Sequence, residues 1–374
     1  MLRERTVGSV DGGQAVPHPA ESVPGWKWFG NRGKCTASSH ASSTPRILGK
    51  KPANCSVGPF CGGLAALFIL MSTPAGAGGL DTAGQPATMH GFRFADIDEK
   101  SLGLWEGQKP VLVYNHGVIA RENVPADRAR SCYVHPLYGL DGEVLTDDFP
   151  RDHYHHRGLF WAWPHINIGG TEYSLWDLRG IRHRFERWIE KQTEPDRATL
   201  TVENGWYVGT EKIVRETVKF IVYGGRGDSR AIDTEFVWIP IKGPLTLMGA
   251  EGKSYGGLTL RFAPGTNTTI TIPSGVTSQD LVMTNLPWAD LTRLWTSEKI
   301  TSGAAIFVHP SHPDYPPQWL TRHYGVLCLG WPGGKPATFQ AGETIRCRYR
   351  VWIHRGPASV ERLRRAYGAY EKSP

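Results

Sequence analysis

Residues 344–354 alternate strictly between two kinds of side chain, and this pattern constrains the fold more than any other in the chain. One face is apolar or aromatic: Ile345, Cys347, Tyr349, Val351 and Ile353. The other face is polar or amphipathic: Arg346, Arg348, Arg350, Trp352 and His354. Because successive side chains of a strand point to opposite sides of a sheet, the pattern predicts an antiparallel strand with one face in a core.

Other segments repeat this alternation, residues 232–238 most clearly. Further strands are predicted at 111–114, 159–163, 198–204, 213–223, 257–263, 268–272, 304–308 and 325–329. Only the tail, residues 357–371, predicts a helix, with Pro357 in its first turn and an apolar stripe that should pack on a sheet. The sequence therefore predicts an all-β fold, a large antiparallel β-sandwich with a C-terminal helix.

The polar face of residues 344–354 has two interpretations, because it carries too many charges for a core. It is either a plain solvated surface or a concave groove for an anionic or hydroxyl-rich ligand. In the second interpretation arginine forks recognise carboxylates and an aromatic ring stacks on a sugar. His354 would then contact the substrate.

The first 77 residues differ in charge from the rest of the chain. The formal net charge is +7, and residues 1–77 hold eight Lys and Arg against three Asp and Glu. The remainder therefore holds 34 basic against 32 acidic residues, only +2. This near balance removes the main support for a nucleic-acid partner.

The same leader contains an apolar run at residues 60–71, preceded by basic residues and followed by small ones at 72–77. This order predicts a signal peptide over about 46–77, because the run is shorter than the roughly 20 residues of a membrane span. We expect an exported protein, periplasmic or extracellular, that has no membrane contact after cleavage. The predicted organisation is a disordered leader, 1–77, and a single β-sandwich domain, 78–374. An unusual membrane anchor is the alternative.

Residues 131–165 hold five of the twelve histidines that follow residue 77, together with several aspartates and arginines. Pro150 and Gly158 bracket the run His153-Tyr154-His155-His156, which predicts a shaped loop before a strand. If the run is extended, His153 and His155 point one way and His156 the other.

Three interpretations of this loop compete. In the first, His155 and His156 act as general acid or base, and Arg157 binds substrate beside them. In the second, His153, His155 and Asp152 hold a divalent metal as a two-histidine, one-carboxylate set. In the third, the histidines and aspartates satisfy one another's hydrogen bonds in a buried loop. We expect no other cofactor.

A Gly-rich turn at residues 249–262 enters a strand and carries four polar candidates, Glu251, Lys253, Tyr255 and Arg261. It lacks the Walker pattern, so it does not indicate phosphate binding. Its glycines either let the backbone approach a ligand or form a tight hairpin.

Two further places carry candidate residues. Arg322 and His323 precede a predicted strand and either join the same cleft or cap their own loop. Trp161 follows the histidine run and is an aromatic candidate for contact with a substrate.

Five of these segments resemble a family of exported bacterial proteins that is labelled methane oxygenase PmoA or a domain of unknown function. The motifs lie at 135–139, 146–150, 152–158, 252–257 and 349–354, of which Asp-His-Tyr-His-His-Arg-Gly is the most specific. The membrane methane monooxygenase subunit of that name crosses the bilayer several times, whereas nothing after residue 80 is apolar for long enough. The resemblance therefore implies sugar chemistry, since the family is common in bacteria that degrade complex glycans. It supplies no known catalytic residues.

At the level of the fold, the chain is similar to the galactose-mutarotase-like supersandwich. The strand entry at residues 256–261 and the placement of the histidines carry this resemblance. Sugar epimerases, glycoside hydrolases and polysaccharide lyases share that fold, and its mutarotases pair a histidine acid with a carboxylate base. Likeness of fold alone does not establish an activity.

From these observations we expect a secreted enzyme that acts on glycans as a lyase, hydrolase or epimerase. His155 or His156 would be the acid or base, and Tyr255 or His323 the second proton-transfer group. The expected substrate-binding residues are Arg157, Lys253, Arg261, Arg322, Trp161 and His354.

Hydrolysis would need two carboxylates about 5–9 Å apart, for which Asp148 and Glu251 are the candidates. A non-catalytic glycan-binding or structural exported protein is the main alternative, since twelve tryptophans follow residue 77 and suit a stacking platform. A metal-dependent enzyme with a His/Asp site is the second. An enzyme needs histidine, arginine and carboxylate groups to meet in one pocket, whereas a binder does not.

Overall fold

The alternating segments form β-strands in the computed structural model, which describes residues 91–295 and 299–374. These residues belong to a unit that spans Asp81–Pro374. The predicted leader, with its signal peptide at about 46–77, lies outside the described residues, so export and the domain boundary at residue 78 stay predictions. No helix in the described ranges is long and apolar enough to cross a bilayer.

Twenty-two strands, one α-helix and one short 3-10 helix form in the described part of the chain. The strands β1 to β22 are, in order, Phe92–Asp98, Ser101–Glu106, Lys109–Asn115, Tyr133–Leu137, Leu159–Ala162, His165–Ile168, Thr171–Tyr173, Arg182–Thr193, Arg197–Val208, Glu211–Tyr223, Ser229–Pro240, Leu245–Met248, Gly257–Arg261, Gly265–Ile272, Gly275–Thr277, Thr284–Asn285, Trp288–Trp295, Ile300–Val308, Gln318–Arg322, Val326–Gly330, Ala337–Phe339 and Ile345–Arg355. The 3-10 helix is Ala126–Arg128, and the α-helix, α1, is Val360–Tyr370.

The strands form two large sheets and a small one. Sheet I has nine strands in the order β1-β2-β3-β4-β5-β13-β20-β19-β16. Sheet II also has nine, in the order β15-β14-β17-β18-β22-β11-β10-β9-β8, and a third sheet has the order β21-β12-β6-β7. Neighbouring strands pair antiparallel in all three sheets. The predicted all-β antiparallel sandwich with a C-terminal helix is confirmed.

Sheets I and II pack face to face through the alternate residues of their strands. The Tyr114 hydroxyl of sheet I donates to Asn204 of sheet II across 3.3 Å. Trp163, which directly follows β5 of sheet I, packs with its ring centroid 5.3 Å from Trp206 and 5.2 Å from Trp238, both of sheet II. Removal of these apolar and aromatic surfaces from water is the main driving force for the sandwich.

One carboxylate, Glu216 of β10, is fully buried between the two sheets. Its Oε2 atom accepts hydrogen bonds from three indoles: Trp161 at 2.8 Å, Trp206 at 2.8 Å and Trp238 at 2.7 Å. Asn204 donates to Oε1 at 2.9 Å, and His183 Nε2 lies 3.4 Å from Oε2. Trp161 belongs to sheet I, whereas Trp206, Trp238, Asn204 and His183 belong to sheet II. The contacts of Glu216 therefore link the two sheets.

Two of the three arginines on the polar face of β22 are paired with acidic residues of the adjacent strand β11. Arg350 Nε lies 2.5 Å from Asp233, and Arg346 lies 2.9 Å from Glu235. These pairs are cross-strand neighbours in the sheet register. This part of the face therefore agrees with the interpretation as an outer surface and not with a groove for an anion.

Helix α1 and neighbouring segments cover the rest of the polar face of β22. The predicted substrate-binding role of His354 is therefore wrong. Helix α1 buries Leu363, Tyr367 and Tyr370 against Phe307 and Trp352. His354 is fully buried, with Nε2 at 2.9 Å from Asp290 and Nδ1 at 2.9 Å from the Gly356 carbonyl. Both ring nitrogens are engaged inside the protein, so neither is available to a ligand.

Helix α1 begins at an N-cap that provides a test of its contribution to stability. The Ser359 hydroxyl accepts a hydrogen bond from the Arg362 amide at 3.2 Å. Ser359→Ala should lower the free energy of unfolding by about 1 kcal/mol, because it leaves that amide without its acceptor. Ser359→Asp, which keeps an acceptor, should stay close to the parent in urea denaturation followed by circular dichroism. Equal losses in the two variants would contradict the capping role.

Candidate functional site

The histidine run lies in the loop between β4 and β5 and folds as two consecutive turns. The His153 amide donates to the Pro150 carbonyl at 3.0 Å, and the His156 amide donates to the His153 carbonyl at 2.9 Å. The rings of His153 and His156 stack in parallel, 4.7 Å apart at 7°. The His155 ring meets His156 edge-on at 4.7 Å. The run is therefore a shaped loop and is not extended, so the alternation that an extended run would impose does not apply, and the turns bring all three rings together.

The loop enters β5 at Gly158, where only a glycine fits. The φ angle of Gly158 is +23°, and a Cβ atom there would lie 2.1 Å from the Val134 carbonyl oxygen on β4. This close approach of two backbones fixes where the histidine loop leaves the sheet.

Three aromatic side chains from distant segments complete the group. Trp176 follows β7, Tyr255 precedes β13, and Tyr324 lies in the turn between β19 and β20. The Trp176 ring centroid lies 5.8 Å from His155, 5.5 Å from His156 and 4.7 Å from Tyr255. The Tyr324 ring stacks on His153 at 5.8 Å and 8°. The histidine cluster, as we use the term, consists of His153, His155, His156, Trp176, Tyr255 and Tyr324.

The cluster lies on the face of sheet I that points away from sheet II. Phe160 and Trp161 are consecutive on β5, so their side chains point to opposite faces. Trp161 points into the sandwich and bonds to Glu216, whereas Phe160 lies 5.9 Å from His156 and 5.4 Å from Trp176.

Arg261, at the end of β13, borders the outer side of the cluster. Its Nη2 atom donates to both carboxylate oxygens of Asp152, at 2.9 and 3.1 Å. Its guanidinium lies 4.8 Å from the centre of the Tyr324 ring. Asp152 also lies 2.9 Å from His153 Nδ1, so one carboxylate joins the arginine to the histidine run.

Arg130 borders the inner side of the cluster and is 2% exposed. It donates to the carbonyl oxygens of Leu175 and Trp176, the latter at 3.1 Å. Its guanidinium lies 5.2 Å from the centre of the Phe160 ring. The arginine thus holds the segment that carries Trp176 against the sheet.

The cluster is open to solvent on one side and closed on the other. The side chains of His153 and Asp152 are 38% and 47% exposed, and Tyr324 is 45% exposed. His156 is only 4% exposed. A ligand could therefore reach the cluster from the side of His153 and Tyr324.

Burial and neighbouring charges separate the protonation states of the imidazoles and the phenol. Burial, then the charges of Arg130 and His153, lower the pKa of His155 from 6.5 to about 3. Burial, then His155 and His153, hold the pKa of His156 well below its ordinary value. Burial raises the pKa of Tyr255. At neutral pH the site therefore pairs imidazoles that can accept a proton with a phenol that can donate one.

Arg157 and Asp148 lie outside the cluster, in a buried ion pair. Arg157 Nη1 is 3.1 Å from Asp148, and Arg157 is fully buried. Asp148 also accepts a hydrogen bond from the Tyr133 hydroxyl at 3.1 Å. This placement corrects the predicted substrate-binding role of Arg157 and leaves Asp148 committed to its partners.

Glu251 and Lys253 are exposed in the turn before β13. Within the described ranges, neither side chain has a hydrogen bond or an ion pair. Of the four polar candidates in this turn and its strand, the structure brings only Tyr255 and Arg261 to the histidines. A carboxylate pair made of Asp148 and Glu251 is not supported, because Asp148 is buried and paired with Arg157.

Arg322 and His323 cap their own loop. His323 Nδ1 lies 2.7 Å from Asp280, and Nε2 lies 3.1 Å from the Thr277 carbonyl. Arg322 donates to two backbone carbonyls at 3.2 and 2.8 Å. Both ring nitrogens of His323 are engaged, so its predicted proton-transfer role is not supported. The next residue, Tyr324, is the one that reaches the cluster.

Trp161 and the predicted metal set also need correction. Trp161 is 1% exposed and donates to Glu216 inside the sandwich, so it does not meet a substrate. No group of three His, Cys, Asp or Glu side chains placed to hold a metal ion occurs in the described part of the chain. Asp152 is directed at Arg261 and His153, which explains why His153, His155 and Asp152 form no such set.

Sequence reasoning missed three residues of this site: Arg130, Trp176 and Tyr324. Tyr324 directly follows Arg322 and His323, and Arg130 lies one residue before the dense segment 131–165. Both residues therefore lie next to residues or segments that the sequence already marks as candidates. Nothing in the sequence distinguishes Trp176 from the tryptophans of the core.

A separate cleft of about 370 Å³ lies beside β19 and β20. Three prolines wall it together with the polar side chains of Asn285, Asp314, Gln318 and Lys335. Neither a predicted site residue nor a member of the histidine cluster lines it. The cleft is thus separate from the cluster, and neither histidine nor arginine lines it.

Fold and cluster together define an all-β sandwich protein with a candidate proton-transfer site on the face of one sheet. The chain belongs to the family described as "Family of unknown function (DUF6807)", whose model matches residues 103–368. That description does not include the methane oxygenase label, which therefore stays unconfirmed.

Other comparisons add little about function. No curated protein matches the chain. Among solved structures, the chain is similar to a polysaccharide lyase with a TM-score of 0.33 and 10% identity, over 74% of this chain and 34% of that one. The chain therefore spans about a third of the length of that protein.

Proposed function

We propose that this chain is a carbohydrate-active enzyme that moves protons to and from a sugar at the histidine cluster. The observation that carries the proposal is the convergence of His155, His156 and Tyr255 around Trp176. These groups come from segments about 100 residues apart in sequence, and they include both a neutral proton acceptor and a protonated donor. Perturbed titratable groups that meet in one accessible place are typical of an active site.

The roles follow from the protonation states. His155 is the general base, because its ring is neutral and less buried than that of His156. Tyr255 is the general acid, because burial keeps its hydroxyl protonated. His156 stacks under His153 and orients the imidazoles. Partly exposed aromatic rings at Tyr324 and Tyr255 suit the apolar face of a sugar ring.

This arrangement favours a lyase or an epimerase over a hydrolase. Hydrolysis requires two carboxylates that act across the scissile bond, and Asp148 is held by Arg157. In elimination, His155 accepts a proton from a sugar carbon, the electron pair forms a double bond to the neighbouring carbon as the bond from that carbon to the glycosidic oxygen breaks, and this oxygen takes the Tyr255 proton. In epimerisation, His155 accepts the proton from one face of the carbon, and Tyr255 donates its proton to the opposite face of the same carbon.

We extend the proposal to a place of action outside the cytoplasm. The support is the sequence of the leader alone, a basic flank, a short apolar run and small residues at 72–77. Cell fractionation and N-terminal sequencing of the mature chain test this part, and recovery of an uncleaved cytoplasmic chain would contradict it.

A glycan library tests the enzymatic proposal directly. Incubation of the full chain with neutral and uronate-containing glycans should give new reducing ends, unsaturated-product absorbance or, for an epimerase, a stereochemical change seen by NMR. Tyr255→Phe should lower turnover at least about 100-fold, because it keeps the ring and removes the proton donor. Tyr173→Phe, on β7 outside the cluster, is the matched control and should be unaffected. A Tyr255→Phe enzyme with full activity would exclude the assigned acid.

A second candidate function is binding without turnover, and the cleft favours it. Its proline walls and its amide, carboxylate and ammonium groups suit a hydroxyl-rich ligand. In that case Gln318→Ala or Lys335→Ala should weaken glycan binding in calorimetry, whereas His155→Ala should leave it unchanged. The opposite result would favour the enzyme.

A further inference from the structure

Buried polar atoms without hydrogen-bond partners lie at the histidine cluster. The donors Nε and Nη1 of Arg130 and Nε and Nη1 of Arg261 are buried and have no acceptor among the described residues, and the buried Nδ1 of His156 also has no partner there. Buried polar groups are rarely left unpaired, because desolvation costs about 1–3 kcal/mol for each. These donors therefore point to an acceptor that the described chain does not supply.

The cluster carries more positive than negative charge, which also indicates a missing anion. Arg157 has Asp148 as its buried partner, and Arg230 has Glu106. Arg130 has no ion-pair partner among the described side chains, and Asp177, which is exposed, has only the smallest effect on its pKa. A buried guanidinium without a counter-ion is costly, so an anion beside Arg130 would be stabilised strongly.

Arg130 and Arg261 both lie near His156. Arg130 lies over Phe160, and the ring of Phe160 lies 5.9 Å from that of His156. Arg261 lies over Tyr324, which stacks on His153, which in turn stacks on His156. Both guanidinium groups also lower the pKa of His156. Two cations therefore act on His156.

The only carboxylate that contacts either of these two cations, among the described residues, is that of Asp152. It bonds to Arg261 and to His153, and its side chain is 47% exposed. A ligand anion that replaces the half-exposed Asp152 carboxylate keeps Arg261 paired and returns that carboxylate to water. Asp152 neutralises Arg261 and leaves Arg130 without an ion-pair partner among the described residues.

We propose that Arg130 and Arg261 form a binding site for an anionic group of the substrate, and that Asp152 occupies the outer part of this site until a ligand displaces it. The inference rests on the proposed function and adds the class of substrate, an acidic sugar. A planar carboxylate matches the fork of a guanidinium group best, and a sulfate ester shares the same charge and acceptors.

The site has a direct consequence for the reaction. A carboxylate bound at Arg130 would lie near His155, whose pKa the Arg130 charge lowers, and would bring the adjacent sugar carbon towards this base. Neutralisation of that carboxylate makes the neighbouring C–H bond more acidic, since the electron pair left on the carbon is delocalised into the carboxyl group. The bound anion would also raise the pKa of His155 towards the range of an effective base.

Simple anions test the site without knowledge of the natural glycan. The full chain is titrated with sodium glucuronate, sodium galacturonate or sodium sulfate at constant ionic strength, with glucose as the neutral control. Binding is followed by calorimetry and by the imidazole proton resonances. We expect saturable binding of at least one uronate, which moves the resonances of His155 and His156, and none of glucose.

Three variants make the assignment specific. Arg130→Gln and Arg261→Gln should each weaken binding about tenfold or more, because each loses a charge-assisted hydrogen bond. Asp152→Asn should strengthen binding several-fold, since the competing carboxylate is gone. Arg179→Gln, an exposed arginine that pairs with Glu172, is the matched control and should bind like the parent. Asp152→Asn and Arg179→Gln alter exposed side chains, so they remain informative if the buried variants misfold.

The outcomes separate this site from the proposed function. Sulfate binding without uronate binding would replace the carboxylate by a sulfate ester as the recognised group. Absence of any saturable anion, or a Kd unchanged by Asp152→Asn and Arg261→Gln, would overturn the anion site. Turnover of neutral glycans alone would also overturn it and leave the enzyme intact. Arginine-dependent binding without turnover of any glycan would keep the site and remove the enzyme.

Discussion

Glu216→Ala is expected to lower the free energy of unfolding by about 3–5 kcal/mol, the range for loss of one member of a buried charged network. The substitution leaves three indole N–H groups without an acceptor between the sheets and removes one of the two acceptors of the Asn204 amide. It also opens a cavity in a closely packed layer. Such a loss is a large part of the roughly 5–15 kcal/mol by which domains are stable. Urea denaturation of the full chain, followed by circular dichroism, measures it.

Glu235→Ala is the matched control, because Glu235 faces the other side of sheet II and pairs with Arg346 at the surface. An exposed pair contributes about 1 kcal/mol or less, so this variant should remain close to the parent. If Glu216→Ala were as stable as Glu235→Ala, the hydrogen bonds of Glu216 between the sheets would contribute nothing to the free energy of unfolding.

The pH dependence of the Glu216 effect has a definite sign. Burial raises the pKa of Glu216, but the charge of His183 and hydrogen bonds from His183, Trp206 and Asn204 outweigh it, so the pKa lies below 4.5. A carboxyl group with a lowered pKa in the folded state stabilises the fold above its unfolded value and loses that contribution on acidification. The difference in stability between the parent and Glu216→Gln should therefore shrink as the pH falls below 4.5.

His155→Ala is expected to lower kcat on an identified glycan by about 100- to 10,000-fold, the usual contribution of a general base. His156→Ala should also lower kcat, because the stacked ring that orients the imidazoles is lost. Single-turnover rates and circular dichroism separate lost chemistry from lost structure. His165→Ala is the control, since His165 is a partly exposed histidine on β6 that pairs with Glu172 at 3.0 Å. Full activity in both cluster variants would refute the proposed mechanism.

The dependence of kcat/KM on pH gives a second measure of the same assignment. The pKa of His155 is lowered to about 3, so its ring is neutral at every pH above that value. Protonation of His155 in the free enzyme should therefore cause no loss of kcat/KM near pH 6.5, and only a loss as the pH falls towards 3. An acidic limb near 6.5 that vanishes in His155→Ala would contradict the structure.

The sequence predicted the sandwich well wherever a strand has one buried face. The strictly alternating segments became β11 and β22, and the apolar runs became parts of β3, β5, β9, β10, β13, β14, β18 and β20. Strand β8 was missed because it lies at the edge of sheet II, and its sequence, Arg-His-Arg-Phe-Glu-Arg-Trp-Ile-Glu-Lys-Gln-Thr, carries charges on both faces. Pairing with β9 along most of its length holds that strand in place, together with the few side chains that it buries, such as His183.

The candidate site was predictable only in part. The density of histidines marked the loop, and the glycines marked the turn that carries Tyr255. Local composition does not show which way a loop residue points, and for this reason Arg157 and Trp161, one and five residues after His156, were placed in the site although both are buried elsewhere. Trp176 could not be found, since only the tertiary fold brings it to the histidines.

The two faces of strand β5 have different roles. Trp161 holds the interior through Glu216, and the residue before it, Phe160, supports the imidazoles. Substitutions that redesign specificity can therefore be confined to the three loops that carry His155, Trp176 and Tyr255, while the scaffold beneath them is left untouched. For directed evolution, this means that libraries in those loops should yield folded variants at high frequency, whereas libraries in the neighbouring inward positions should yield few.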